Sequence, residues 1–192
     1  VDPREYFPSL AFACESILLM QAAPIVCETS RLLLREFTLD HLVPLVAMHS
    51  DPEVCRFIGG VRSPEQSRQN LAQWMAAYQR DGVSKWAVVL RETGELVGRC
   101  GLTPEHIEDT TEWELGWTFA RPFWGKGYAT EAAAAAMDYW FRELRKPHVI
   151  SLIRPGNVAS TRVAQRLGMK YNRTVLWNGA KAELHLARNP DF

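Results

Sequence analysis

Two glycines one residue apart, Gly125 and Gly127, separate an aromatic, apolar run from a long alanine-rich stretch, and that junction leaves the chain few ways to fold. The run Glu112-Trp113-Glu114-Leu115-Gly116-Trp117-Thr118-Phe119 reads as a buried strand that Pro122 stops. Beyond the glycines, Ala129, Ala133, Met137, Trp140, Phe141 and Leu144 recur at spacings of three and four, which predicts a helix. Glu131 in its first turn and Arg142, Arg145 and Lys146 in its last complement the helix dipole, and Pro147 ends it. A turn that opens a helix leaves backbone N–H groups unpaired at the positive end of that dipole, a natural seat for phosphate. Glycine permits close approach and left-handed dihedrals there, and Lys126 adds a point charge. Gly-x-Gly without a third glycine is no dinucleotide fingerprint, and no Gly-x-x-x-x-Gly-Lys-Ser/Thr occurs, so both nucleotide readings fall. Taken alone, the junction also fits an ordinary strand-to-helix turn.

The length of 192 residues, 47% hydrophobic and 23% charged, suits one globular domain with a sizeable core. Lysine plus arginine equals aspartate plus glutamate at 22 each, so neither nucleic acid nor an anionic membrane is expected as a partner on global charge. Cys14, Cys27, Cys55 and Cys100 are widely spaced with no Cys-x-x-Cys pair, which argues against zinc and a disulfide framework and for the cytoplasm. Leu10 to Met20 is apolar but short, interrupted by Glu15 and without a basic lead, so it suits neither a signal peptide nor a membrane helix. We expect residues 1–24 to be an N-terminal extension outside the domain, with Met20 an alternative start, and residues 25–192 to be the domain.

Within that domain, Arg31 to Phe37 is a short strand candidate, and Asp40 opens a helix carrying Leu42, Leu45, Val46 and His49. Glu53 to Ile58 suggests another turn of helix. Ser63-Pro64-Glu65-Gln66 has the serine cap, first-turn proline and third-position glutamine of a helix entry. Leu71, Trp74, Met75 and Tyr78 share one face of that helix, which stops near Asp81-Gly82. Lys85 to Arg91 and Glu95 to Leu102 form a hairpin about Glu92-Thr93-Gly94. His148 to Ile153 is a further strand, Val158 to Leu167 a helix capped by Asn157 and ended by Gly168, and Lys170 to Leu176 with Ala182 to Ala187 a hairpin about Asn178-Gly179. The order predicts an α/β (α+β) domain with a mixed, largely antiparallel sheet.

Two motifs in sequence, Trp124-Gly-Lys-Gly-Tyr-Ala-Thr-Glu-Ala after Glu-Leu-Gly-Trp, then Arg154-Pro-Gly-Asn157-Val-Ala-Ser160-Thr-Arg-Val-Ala-Gln-Arg-Leu-Gly168-Met, resemble the GNAT superfamily of acetyl-CoA-dependent N-acetyltransferases. The nearest likeness is to the branch holding the ribosomal-protein N-terminal alanine acetyltransferases, and it runs from about Ile25 to the C-terminus. It implies six to seven strands flanked by about four helices. It also implies that the strands at Glu112–Phe119 and His148–Ile153 splay apart to admit acetyl-CoA. The backbone of Trp117, Thr118 and Phe119 would pair with the pantetheine arm, and main-chain N–H groups from Trp124, Gly125, Lys126, Gly127, Tyr128, Ala129 and Thr130 would hold the pyrophosphate. Trp124 stands where relatives often carry Gln or Arg, which spares the backbone cradle but removes a charged contact.

By the same resemblance, Glu114 is the general base, with Glu112 the runner-up; an ion-pair role for Glu114 stays open beside it. Ala164 occupies the place of the tyrosine that many relatives use to protonate the thiolate, and Ser160 matches the serine of the alanine-acetyltransferase branch. Asn157 would bond the pantetheine arm, a role compatible with capping its helix. Arg56, Phe57, Trp74 and Tyr78 fall where relatives wall the acceptor pocket, core packing being the alternative for each aromatic. His41, His49, His106, His148 and His185 show no metal-ligand spacing, so no metal is expected. Ser84, Ser151 and Ser160 lack a nucleophile-elbow context, which favours direct transfer in a ternary complex. The expectation is an acetyltransferase acting on a primary amine, a protein N-terminus or a small molecule, as a monomer or homodimer. A catalytically silent acyl-CoA sensor and a protein-interaction module stay open on the same fold.

Overall fold

The computed structural model of the chain describes residues 23–192. What was expected of the first 22 residues, including Leu10 to Met20 and Cys14, lies outside that range. One sheet of eight strands runs in the order β1 (Ile25–Glu28), β2 (Leu32–Arg35), β3 (Lys85–Leu90), β4 (Leu96–Ile107), β5 (Thr110–Phe119), β6 (His148–Ile153), β8 (Ala180–Arg188), β7 (Lys170–Trp177). Neighbours are antiparallel except β5 and β6. The strand beyond the expected seven is β1, four residues at the sheet edge, too short to show a period. Ahead of it the chain is already held, since Arg35 Nη2 donates to the Ala23 carbonyl at 2.9 Å and the Glu36 N–H to that of Pro24.

Five helices cover the sheet: α1 (Leu42–Ser50), α2 (Pro52–Cys55), α3 (Pro64–Asp81), α4 (Tyr128–Asp138) and α5 (Val158–Arg166). The α3 entry is the capping box read from sequence, with Ser63 Oγ accepting from the Gln66 N–H and Gln66 Oε1 from the Ser63 N–H. Ahead of α1 the capping residue is Thr38 rather than Asp40, because a 3-10 turn over Leu39–His41 precedes the helix. The helix expected to run to Pro147 closes in a wider π turn, Tyr139–Glu143, where the Leu144 N–H reaches the Tyr139 carbonyl. Trp140, buried there, donates Nε1 to the His148 carbonyl at 2.8 Å. Between β7 and β8, Asn178 and Gly179 both take positive φ, +47° and +72°, the geometry of a type I′ hairpin turn.

The two sheet faces have different tenants. Trp86, Val88, Leu102 and Leu115 pack with Leu32 and Leu34 against Ala132, Ala133, Ala136 and Trp140 of the α4 side. Ala87 faces the other way, against Phe37, Leu45, Met48, Val54 and Leu71 from α1 to α3. Residues 85, 87, 99, 101, 103, 114, 116 and 118 share that second face, because Lys85 stands opposite Gly101, Ala87 opposite Arg99, Gly116 opposite Gly101 and Glu114 opposite Thr103. β4 extends past the expected Leu102 to Ile107. Pro104 is tolerated there because its missing N–H would point beyond the end of β3, where no ladder bond is lost.

Candidate active site

The parallel pair β5 and β6 meets at one register, Glu114 opposite Ile150, and then diverges. Ser151 Oγ occupies the start of the gap, donating to the Leu115 carbonyl at 2.6 Å. At its far end Trp124 Nε1 donates to the Phe119 carbonyl at 2.7 Å. Residues two apart in a strand present their main-chain groups to the same side, so Trp117, between Leu115 and Phe119, turns its N–H and C=O into the gap. Thr118 pairs across to Arg99 of β4, which leaves only its side chain for the gap. Of the three residues expected to offer main chain here, Trp117 does so fully and Phe119 by its N–H alone.

The glycine turn stands where β5 hands over to α4. Gly125 and Gly127 have φ of +74° and +83°, closed to most side chains, and nothing lies within 4 Å of a Cβ built on Gly125. Gly127 caps α4 without a side chain, and the first intrahelical bond runs from the Glu131 N–H to the Gly127 carbonyl. The N–H groups of Tyr128, Ala129 and Thr130 therefore lack partners within the helix and point along its axis. Lys126 folds back, with Nζ 5.4 Å from the centre of the Phe123 ring. The turn is braced from the β1–β2 connection: Thr29 Oγ1 and Arg31 Nε donate to Glu131 at 2.6 and 2.7 Å, and Arg31 Nη1 donates to the Lys126 carbonyl at 3.0 Å.

A cavity of about 470 Å³ joins the gap to the face under α3. Its wall includes Leu115 to Thr118 of β5, Ser151 to Ile153 of β6, Asn157 and Ser160 of α5, and Phe57, Arg62 and Trp74 from the helical side. At its floor Lys85 Nζ donates to Glu114 Oε2 at 2.7 Å and to the Gly101 carbonyl at 3.0 Å, both side chains being buried. Gly116 clears the row for this pair. A Cβ on Gly116 would sit 2.7 Å from both Lys85 Nζ and Glu114 Oε2.

Glu105 also lines the cavity, accepting from Trp177 Nε1 at 2.8 Å. Burial raises its carboxyl above the usual range, against the opposing pull of that bond.

Of the residues expected at the site, Glu114, Ser160, Asn157, Trp117, Thr118, Phe57 and Trp74 share this one cavity. Asn157 Oδ1 is engaged by the Ser160 N–H at 3.2 Å, as a cap, which leaves its amide nitrogen to offer. Tyr78 and Arg56 stand elsewhere. Tyr78 is buried, its hydroxyl bridging the Lys85 carbonyl and the Phe37 N–H, so it supports β3 instead of walling the pocket. Arg56 is exposed and lies against the Phe57 ring. Glu112 bonds His148 Nε2 at 2.7 Å, away from the cavity. Sequence reasoning missed Lys85, Arg62, Arg99 and Glu105. Lys85 and Glu114 are 29 positions apart and meet only through the β3–β4–β5 register. Glu105 lay past the expected end of its strand.

Among the described residues no group of three His, Cys, Asp or Glu side chains could hold a metal ion, and no helix is long and apolar enough to cross a membrane. A family model for the acetyltransferase (GNAT) domain matches residues 31–170. Two curated relatives from Bacillus subtilis (strain 168) are similar over most of their length. Uncharacterized protein YkkB is 42% identical over 68% of this chain and 77% of its own, and uncharacterized N-acetyltransferase YnaD 32% identical over 74% and 81%. Among solved structures, an acetyltransferase from Agrobacterium tumefaciens str. C58 superposes with a TM-score of 0.77 at 25% identity, covering 87% of this chain and 95% of its own. The ribosomal L7/L12 alpha-N-protein acetyltransferase RimL, in complex with coenzyme A, gives 0.70 at 18% identity over 86% and 98%.

Proposed function

The chain belongs to the GNAT acetyltransferase family, and from that premise we propose that it moves an acetyl group from acetyl-CoA to a primary amine by direct transfer, with donor and acceptor bound together. The observation that carries the reading is the single cavity in which Glu114 and Ser160 face the space beside the open main-chain edge of β5. Acetyl-CoA supplies the activated thioester. The Trp117 backbone and the Asn157 amide nitrogen would hold its amide-rich arm as an added strand, and the N–H groups at the start of α4 its pyrophosphate.

An attacking amine must give up a proton, and the departing sulfur gains by receiving one. Glu114 receives the amine's proton. Lys85 occupies its Oε2 and fixes the carboxylate, leaving Oε1 to accept directly or through water. Ser160, which lines the cavity, would give its hydroxyl hydrogen to the departing sulfur and take one back from solvent. Glu105 supports a second reading of the base, since its carboxyl, raised by burial, faces the same cavity. The neighbour named as an L7/L12 alpha-N-protein acetyltransferase makes a protein N-terminus one acceptor class to test beside small amines. Cys27, Cys55 and Cys100 form no disulfide among the described residues.

A thiol-release screen across amine classes tests the reading, with acetyl-CoA affinity measured separately by calorimetry. Release with at least one amine is expected. Tight acetyl-CoA binding without release would instead describe a silent sensor, and absence of binding a bare fold. Comparing Glu114→Gln with Glu105→Gln separates the two bases: substituting the true one lowers turnover and removes the acidic limb of the pH profile.

A further inference from the structure

The acceptor end of the cavity carries more positive charge than its own residues answer. Five basic side chains line it against two carboxylates, Glu105 and Glu114, in a chain whose formal charges balance overall. Lys85 is matched by Glu114, Arg80 by Asp81 at the rim, and Arg154 donates to the Ala180 and Lys181 carbonyls. Arg62 and Arg99 are left. Arg62 gives Nη2 to the Ile58 carbonyl at 2.7 Å, but its Nη1 is buried without a hydrogen-bond partner, and so is Nε of Arg99. Neither forms an ion pair with a carboxylate among the described residues. Ser84 Oγ, in the same wall, is also buried and unpartnered.

The two guanidinium groups feel each other. Burial, and next the charge of Arg62, bring Arg99 down to about 10, and burial followed by the Arg99 and Arg62 charges holds His49 near 3. Arg99 is also aimed, with Cζ 5.2 Å from the centre of the Trp74 ring. Both arginines are half-buried, and a guanidinium nitrogen that is itself buried without a partner is costly, the more so when a second cation lies close by. An arriving anion relieves both.

Resting on the acetyltransferase reading, we propose that Arg62 and Arg99 bind an anionic group of the acceptor, so that the substrate is a small primary amine bearing a carboxylate or a phosphate. The guanidinium fork matches either anion. Arg99 stands on β4 four residues from Thr103, the partner of Glu114 across the strands, and on the same face. That is about 13 Å along the strand. With long side chains reaching inward from both positions, the acceptor on this proposal is small, with its amine toward the carboxylates and its anion toward the arginines.

Acceptors matched except for the anion test this: an amino acid against its carboxamide, and an aminoalkyl phosphate against the amino alcohol. The anionic member of at least one pair should be favoured by about 10- to 100-fold in kcat/KM, mostly through KM. Arg62→Gln and Arg99→Gln should each erase the preference and leave the acetyl-CoA dissociation constant unchanged. Equal use of both members in both pairs overturns the proposal. So does weakened acetyl-CoA binding in Arg99→Gln, which would assign the guanidinium groups to the donor. A second measurement needs no turnover: in the Gly127→Val background, where the α4 cradle is disabled, phosphate or succinate added to ligand-free protein should raise its melting temperature, and should no longer do so once Arg62→Gln/Arg99→Gln is added to that background. If that pattern holds and no amine releases thiol, acetyl transfer fails and the anion site stands. No rise in Gly127→Val, or a rise that survives the double substitution in that background, removes the site whatever the enzyme turns over. Ligand-free Arg99→Gln should melt no lower than wild type; a lower value makes Arg99 a structural residue and sinks the proposal.

Discussion

On the proposed reading the donor end of the site is made of main chain and the acceptor end of side chains, and the two should fail differently when disturbed. At the turn before α4 stand three N–H groups without helical partners and two left-handed glycines, all within six consecutive residues from Gly125 to Thr130. Under α3, Lys85, Arg99, Glu105 and Glu114 come from three strands, with Arg62 and Trp74 from the helical side. Main chain is indifferent to most substitutions unless dihedrals change. Buried charged side chains answer to every neighbour.

The sharpest break between the halves is Glu114→Gln, which keeps the donor end whole. Turnover should fall by about 10²- to 10⁴-fold, with acetyl-CoA affinity near that of wild type by calorimetry. A comparable loss of affinity would mean that the halves are not separable. The converse change is Gly127→Val, which forces a β-branched residue to φ of +83°. At a strain of about 1–3 kcal/mol, acetyl-CoA affinity should drop by roughly 10- to 100-fold. An unchanged dissociation constant would refute the cradle.

Acid separates the halves by another route. His49 is buried and held near 3, by burial first and then by Arg99 and Arg62, whereas in the unfolded chain it titrates near 6.5. Between those values the unfolded chain binds a proton that the native protein refuses. Stability is therefore complete above about pH 6.5 and is lost as pH falls toward 3, by up to about 1.4 kcal/mol per unit. Urea titrations at several pH values should show that slope in wild type and a shallower one in His49→Gln; equal slopes would place the acid response elsewhere. The smallest effect belongs to Arg31→Ala, which removes a half-exposed brace of the glycine turn. Such pairs contribute about 0.2–1 kcal/mol, so acetyl-CoA binding should weaken by a few-fold at most. A hundredfold loss would show that the donor end also depends on distant side chains.

The same division explains what could be read from the sequence. The turn, the α4 entry, the Ser63 cap and the Asn178-Gly179 hairpin are local, their causes lying within a few residues. β1 escaped because four residues at an edge carry no period, and the π turn because Trp140 is drawn out of helical register by the His148 carbonyl. Glu114 was legible as a strand carboxylate, but its counter-ion was not, since strand register brings Lys85 to it. Tyr78 shared a helix face with Trp74 in the sequence. The fold gives Trp74 to the cavity and sends the Tyr78 hydroxyl into the core, where it holds the start of β3.

Among the described residues, one rung, Glu114 to Ile150, with Ser151 wedged just beyond it, joins the main chain of the first five strands to that of the last three. Anything lying along the open edge of Trp117 would act as a splint across that seam. Cargo and cohesion are then coupled: the loaded protein should exchange its β6 amides more slowly with solvent, and each departing product should leave the sheet briefly less well joined.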